Sequence, residues 1–126
     1  MRRNLIGRTG EKKVAEVLTG CDWINREYDH VDFYDIEYKG IKIDVKTSTV
    51  RYKVYRMGVL VKDYFNFTEG GKNDGEKIKI YVGIDVDEVG NQKFLFWVRE
   101  KYEYGNYKLT ENAMTEEELF NYFCSK

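Results

Sequence analysis

The feature that most constrains this chain is a two-residue alternation on either side of Lys39-Gly40. Residues 33–38 and 41–48 each alternate apolar and polar side chains, which is the period of a half-buried strand. With Lys39-Gly40 as a hairpin tip, the pairing follows by counting. Tyr38 faces Ile41, Glu37 faces Lys42, Ile36 faces Ile43, and Asp35 faces Asp44. Tyr34, Ile36, Tyr38, Ile41, Ile43 and Val45 then share one face, the core side, while Asp35, Glu37, Lys42, Asp44 and Lys46 share the other. A slip of one residue would turn the whole apolar set outward, so the pattern specifies its own register.

That register sets two aspartates directly opposite each other. Their Cβ atoms would lie about 4.5–5.5 Å apart, a spacing at which like charges destabilise a sheet. A divalent cation offsets the repulsion, and Mg²⁺ favours carboxylate oxygens while keeping several waters. Lys46 lies two residues beyond Asp44, about 6.5–7 Å along the strand, within reach of a metal-bound water or a phosphate oxygen. An ordinary solvent-exposed polar strand face has the same alternation, and Asp-x-Lys alone is a weak motif. The opposed second aspartate is what strengthens it.

A separate segment supplies a third acid. Val14, Ala15, Val17 and Leu18 fall at helical spacing, so residues 8–20 read as a helix that Gly20 stops. Glu11 is three residues before Val14 and seven before Leu18, on the core-facing stripe. A carboxylate pointing inward is costly unless paired or liganded. The competing reading is an exposed glutamate favoured by the helix N-terminus.

The remaining chain reads as strands and a closing helix. Val50, Tyr52 and Val54 alternate with Arg51 and Lys53, and Ile78, Ile80, Val82, Ile84 and Val86 share one face of a strand over 78–86. Phe94 to Val98 is a compact apolar strand reached through a turn at Val89-Gly90-Asn91. Thr115 and Glu118 form a capping box for a helix that turns Leu119, Phe120, Tyr122 and Phe123 toward the core. Proline, repeats and low-complexity stretches are absent, so residues 1–126 read as one domain of layered α/β or α+β type.

Composition removes several chemistries. A single histidine, His30, is too few for a His-rich zinc site or a histidine-based nuclease, and no Gly-x-Ser-x-Gly elbow exists for a serine triad. Cys21 and Cys124 do not form a metal or redox pair and read as reduced thiols of a cytoplasmic protein. No run approaches the roughly 20 apolar residues of a membrane span, and the first residues lack the apolar region of a signal peptide. Net charge is −1, but residues 1–62 hold 13 Lys/Arg against 9 Asp/Glu and residues 63–126 hold 8 against 13. A polyanion would meet the first half. Alternatively, the acidic second half binds a basic partner, a reading that leaves the opposed aspartates without a purpose.

Taken together, Gly7-Arg8-Thr9-Gly10-Glu11 through Leu18, Asp35, and Ile43-Asp44-Val45-Lys46-Thr47-Ser48 resemble the PD-(D/E)XK nuclease superfamily, which includes restriction endonucleases and Holliday-junction resolvases. The resemblance covers about residues 7–48. It implies a restriction-endonuclease-like core of αβββαβ type, with a central mixed sheet flanked by helices. It also implies Mg²⁺-dependent cleavage of DNA, Mn²⁺ being able to substitute. By it, Asp35 and Asp44 match the two acidic positions, Lys46 the lysine and Glu11 the helix acid, with the Val45 carbonyl a further metal ligand. Arg8, Lys12, Arg51, Lys53 and Arg56 become candidate contacts to the nucleic-acid backbone, and symmetric cutting of two strands would require a homodimer. The chain departs from the pattern in two ways. No proline precedes Asp35, and no helix is obvious between residues 49 and 77. Asp32 is an alternative first acid if a bulge intervenes.

Overall fold

The computed structural model describes residues 3–18, 22–23, 36–69, 78–100, 105–109 and 113–125. Helix α1 spans Arg3–Val17. Strands β1 (Asp22–Trp23), β2 (Ile36–Tyr38) and β3 (Ile41–Ser48) follow, then β4 (Arg51–Arg56) and β5 (Val59–Glu69). Strands β6 (Ile78–Val86), β7 (Gln92–Arg99) and β8 (Gly105–Leu109) precede the closing helix α2 (Glu116–Cys124). The fold class is α+β.

Five strands make the central mixed sheet in the order β1-β2-β3-β6-β7, and β4-β5-β8 make a second sheet. The β2–β3 hairpin has the register read from the alternation: Ile36 pairs with Ile43, Glu37 with Lys42 and Tyr38 with Ile41. Its tip residues Lys39 and Gly40 have φ of 49° and 79°, the positive pair that a type I′ turn demands. β3 then runs parallel to β6, and β6 pairs antiparallel with β7 from Lys79–Arg99 to Val86–Gln92. The turn between β6 and β7 is held by Asp87, whose carboxylate accepts from the backbone N–H groups of Val89 (3.0 Å) and Asn91 (2.8 Å).

The two faces of the central sheet are covered differently. On one face, Ile36, Ile43, Val45, Ile80, Val82 and Phe96 pack with Val14 and Leu18 of α1 and Leu119 and Phe123 of α2. On the other, Phe65 and Phe67 of β5 pack with Tyr81 and Trp97. The Phe65 ring rests on Gly83, where an added Cβ would meet it at 2.9 Å. The expected flanking by helices is thus realised on one face only. The αβββαβ order also differs. Where that order places a helix between the third core strand and its parallel neighbour, the described residues between β3 and β6 form the β4–β5 hairpin. The alternation of Val50, Tyr52 and Val54 already opposed a helix, whose exposed face needs polar residues at a period of 3.6.

Element bounds shift modestly from the sequence reading. α1 begins at Arg3 rather than near residue 8 and ends at Val17, with Leu18 still donating to the Val14 carbonyl at 2.8 Å. Glycine lowers helix propensity, yet the helix runs through Gly7. The capping box of α2 forms as read: Glu118 N–H donates to Thr115 Oγ1 and Thr115 N–H to Glu118 Oε1, both at 3.2 Å. No described helix is long and apolar enough to cross a membrane. Cys124 is an exposed free thiol, and Cys21 and His30 lie outside the described residues.

Candidate active site on strand β3

β3 is buried on both faces over its middle, because the helices cover one side and neighbouring side chains the other. Ile43 and Val45 turn toward the helices, so alternation turns Asp44 and Lys46 to the opposite face. Asp44 is 8% exposed. Its register partner across the parallel ladder is Lys79 of β6, which is 4% exposed and donates from Nζ to Asp44 Oδ2 at 2.6 Å. Lys46 Nζ lies 4.0 Å from the same oxygen and is half-buried. One buried carboxylate is therefore approached by two ammonium groups.

Lys79 was not among the expected site residues. Its only local signal is parity: it interrupts the apolar Ile78, Ile80, Val82 series and so belongs to the other face. Which β3 residue it meets depends on the parallel register, and a crossover of some thirty residues leaves no local record of that. The cation needed to offset buried charge on Asp44 is, in this structure, supplied by the chain itself.

Glu11 is 1% exposed, on the α1 stripe with Val14 and Leu18. The helix approaches β3 closely at the preceding residue. A Cβ on Gly10 would fall 1.8 Å from Thr47 Oγ1, so only glycine admits this contact. Thr47 Oγ1 is buried there without a hydrogen bond to a described residue. Glu11 thus comes to β3 from the helical face, whereas Asp44 and Lys46 project from the other.

The structure brings Asp44, Lys46 and Lys79 together and places Glu11 across the strand. Asp35 and its alternative Asp32 lie outside the described residues, and with them the expected Asp35–Asp44 pairing. Among the described residues, no three Asp, Glu, His or Cys side chains gather into a group able to hold a metal ion. Carboxylate and carbonyl oxygens of this kind suit a hard cation such as Mg²⁺ rather than a soft one, but Asp44 and Glu11 stand on opposite faces of β3 and do not converge on one ion.

The expected backbone-contacting cations separate into three groups. Arg8 is half-buried and Lys12 exposed on α1. Lys53 and Arg56 are exposed on the β4–β5 hairpin. Arg51 is engaged: it donates from Nε to Asp63 Oδ1 at 2.5 Å, from a second nitrogen to Asp63 Oδ2 at 2.8 Å, and from a third to Asp85 of β6. Its guanidinium also lies 5.7 Å from the Phe65 ring centre. The hydrogen bond to Asp63 is the main reason that the Arg51 pKa is raised, and the same bond holds the Asp63 carboxyl below its ordinary value.

No family model, curated protein or solved structure matches the chain. The functional reading accordingly rests on the residues and their geometry.

Proposed function

We propose that the chain is a metal-dependent nuclease hydrolysing phosphodiester bonds of DNA, with Asp44 and Lys46 at the centre of the site. The observation that carries this reading is a buried carboxylate on β3 with Lys46 on the same face, in a segment whose sequence resembles the catalytic strand of the PD-(D/E)XK nucleases. Asp44, Asp35 and the Val45 carbonyl would hold Mg²⁺, and Glu11 a second ion or a water. Such an ion, when bound, polarises the phosphate and lowers the pKa of a bound water.

The side chains have distinct tasks in this scheme. Lys46, half-exposed, orients the attacking water or stabilises charge developing on the phosphate oxygens. Lys79, almost wholly buried, fixes the orientation of the Asp44 carboxylate through its hydrogen bond. Lys12, Lys53 and Arg56 contact backbone phosphates, which makes binding salt-dependent. A homodimer would allow both strands of a duplex to be cut.

The Lys79–Asp44 pair favours a second reading as well. A lysine that already neutralises the acid does part of a metal ion's electrostatic work, as expected of a nucleic-acid-binding protein that keeps a nuclease fold without its chemistry. One assay separates the two. Supercoiled plasmid, flap and four-way-junction DNA are incubated with the protein in Mg²⁺, Mn²⁺ or EDTA. The nuclease reading expects metal-dependent nicking that falls by about 100-fold or more in Lys46→Ala and is abolished in Asp44→Ala. DNA binding that is equal with and without metal, with no cleavage by the wild-type protein, establishes the silent reading instead.

A further inference from the structure

The β4–β5 hairpin extends past the point where the rest of the molecule covers it. Arg51, Asp63 and Phe65 tie its base to the central sheet, but every residue from Tyr52 to Lys62 is exposed. Both faces of the ribbon are therefore open. The exposed apolar side chains are large: Tyr55 is 59% exposed, Val59 62% and Met57 103%. Lys53, Arg56 and Lys62 are interspersed with them, and residues 52–62 contain no Asp or Glu.

We infer that this ribbon is an arm that enters the major groove of B-form DNA. Three features point to that occupant. A two-stranded ribbon has the width that the major groove admits, and that groove is about 8.5 Å deep. From Lys53 to the tip at Met57 the strand runs about 13 Å at the usual rise per residue, enough to span that depth. Lys53, Arg56 and Lys62 are spread along the arm, where they can meet phosphates of the groove walls, while Met57 and Tyr55 toward the end offer apolar contact to base edges. The tip is a second tight turn, with Met57 and Gly58 at φ of 52° and 78°, and the ion pairs of Arg51 hold the base of the arm. Arm-to-arm pairing of two copies would instead bring together two segments that carry three cations each and no acid over residues 52–62, at a cost in like-charge repulsion. Duplex RNA is a poor fit, because its major groove is deep and too narrow for side chains to read. The inference shares with the proposed nuclease activity the polyanion and the phosphate contacts of Lys53 and Arg56, and it does not rest on the metal chemistry.

The test measures fluorescence anisotropy of a 30-base-pair DNA duplex in EDTA, across a salt series from 50 to 200 mM, so that the metal site plays no part. The wild-type protein is compared with Lys53→Gln/Arg56→Gln/Lys62→Gln and with Met57→Gly/Tyr55→Ser; circular dichroism and thermal melting confirm that both variants fold. The triple variant is expected to bind at least tenfold more weakly at 50 mM salt and to lower the log–log salt slope by about 2–3, close to 0.9 for each phosphate that is no longer neutralised. The tip variant is expected to weaken binding with the slope unchanged, and duplex RNA of equal length to bind more weakly than DNA. The inference is overturned if the wild-type protein does not bind the duplex, or if the triple variant binds with the same affinity and slope. It is also overturned if sedimentation shows the wild type dimeric and the tip variant monomeric while DNA binding is untouched, since the arm then serves a second copy. Arm-dependent binding without any cleavage in Mg²⁺ would remove the nuclease reading and leave the arm in place.

Discussion

At the scale of single residues, the Asp44–Lys79 pair governs this site. Both side chains are nearly buried, at 11% and 5% exposure, so each has given up most of its hydration for the other. Removing one partner of a buried pair typically costs about 3–5 kcal/mol, chiefly because it strands the remaining charge. Asp44→Asn and Lys79→Met should therefore each destabilise the fold substantially in urea denaturation, and the double variant should lose clearly less than the sum. Strict additivity would show that the two groups are not coupled. Lys46→Ala, by contrast, should destabilise clearly less than either, because its ammonium is more exposed and lies farther from the carboxylate than that of Lys79, so that a large loss of cleavage reports chemistry rather than folding.

Among the elements, β4 and β5 depend on a clamp of three charged residues. Arg51 joins Asp63 on the neighbouring strand and Asp85 on β6, fastening the crossover hairpin to the central sheet. Because the hydrogen bond from Arg51 holds the Asp63 pKa below 3.8, the folded state favours the ionised carboxylate more than the unfolded chain does. That contribution is fully present above the unfolded value and fades as pH falls through the lower folded value. The denaturation midpoint should thus decline on acidification below 3.8, and Asp63→Asn should flatten this part of the profile while lowering the midpoint at neutral pH. An unchanged acid profile in Asp63→Asn would mean that the clamp contributes nothing to folding. The alternation of residues 50–54 made a strand legible here. The clamp was not legible, because Arg51 and Asp85 are 34 residues apart and meet only when β4 folds back over β6.

Across the whole molecule, two packing layers meet on one central sheet. The helical layer could be anticipated from its apolar stripes, whereas the second sheet seats Phe65 and Phe67 on Tyr81 of β6 and Trp97 of β7. Phe65 is 2% exposed, and its ring stands 6.0 Å from that of Trp97. Phe65→Ala should cost about 3–5 kcal/mol, measured by thermal or urea unfolding. Amide exchange in β4 and β5 should accelerate more than in β6 and β7, since the layer that loses its anchor opens first. Uniform acceleration across both sheets would show instead that the two layers unfold as one unit.

Local chemistry, read from the sequence alone, determined the β2–β3 register, the span of β3 and β6, the capping box of α2 and the shared face of Asp44 and Lys46, while burial in the structure decided between the two readings of Glu11. Each follows from a periodicity or a spacing within a few residues, where the pleat of a strand or the pitch of a helix leaves one arrangement that buries the apolar side. Only the tertiary structure decided that the described part of the connection from β3 to β6 is a hairpin, that Lys79 lies against Asp44, and that Arg51 is held by two carboxylates. Those outcomes depend on which strands become neighbours across a long crossover, and pairing at that range is settled by burial of the whole apolar surface.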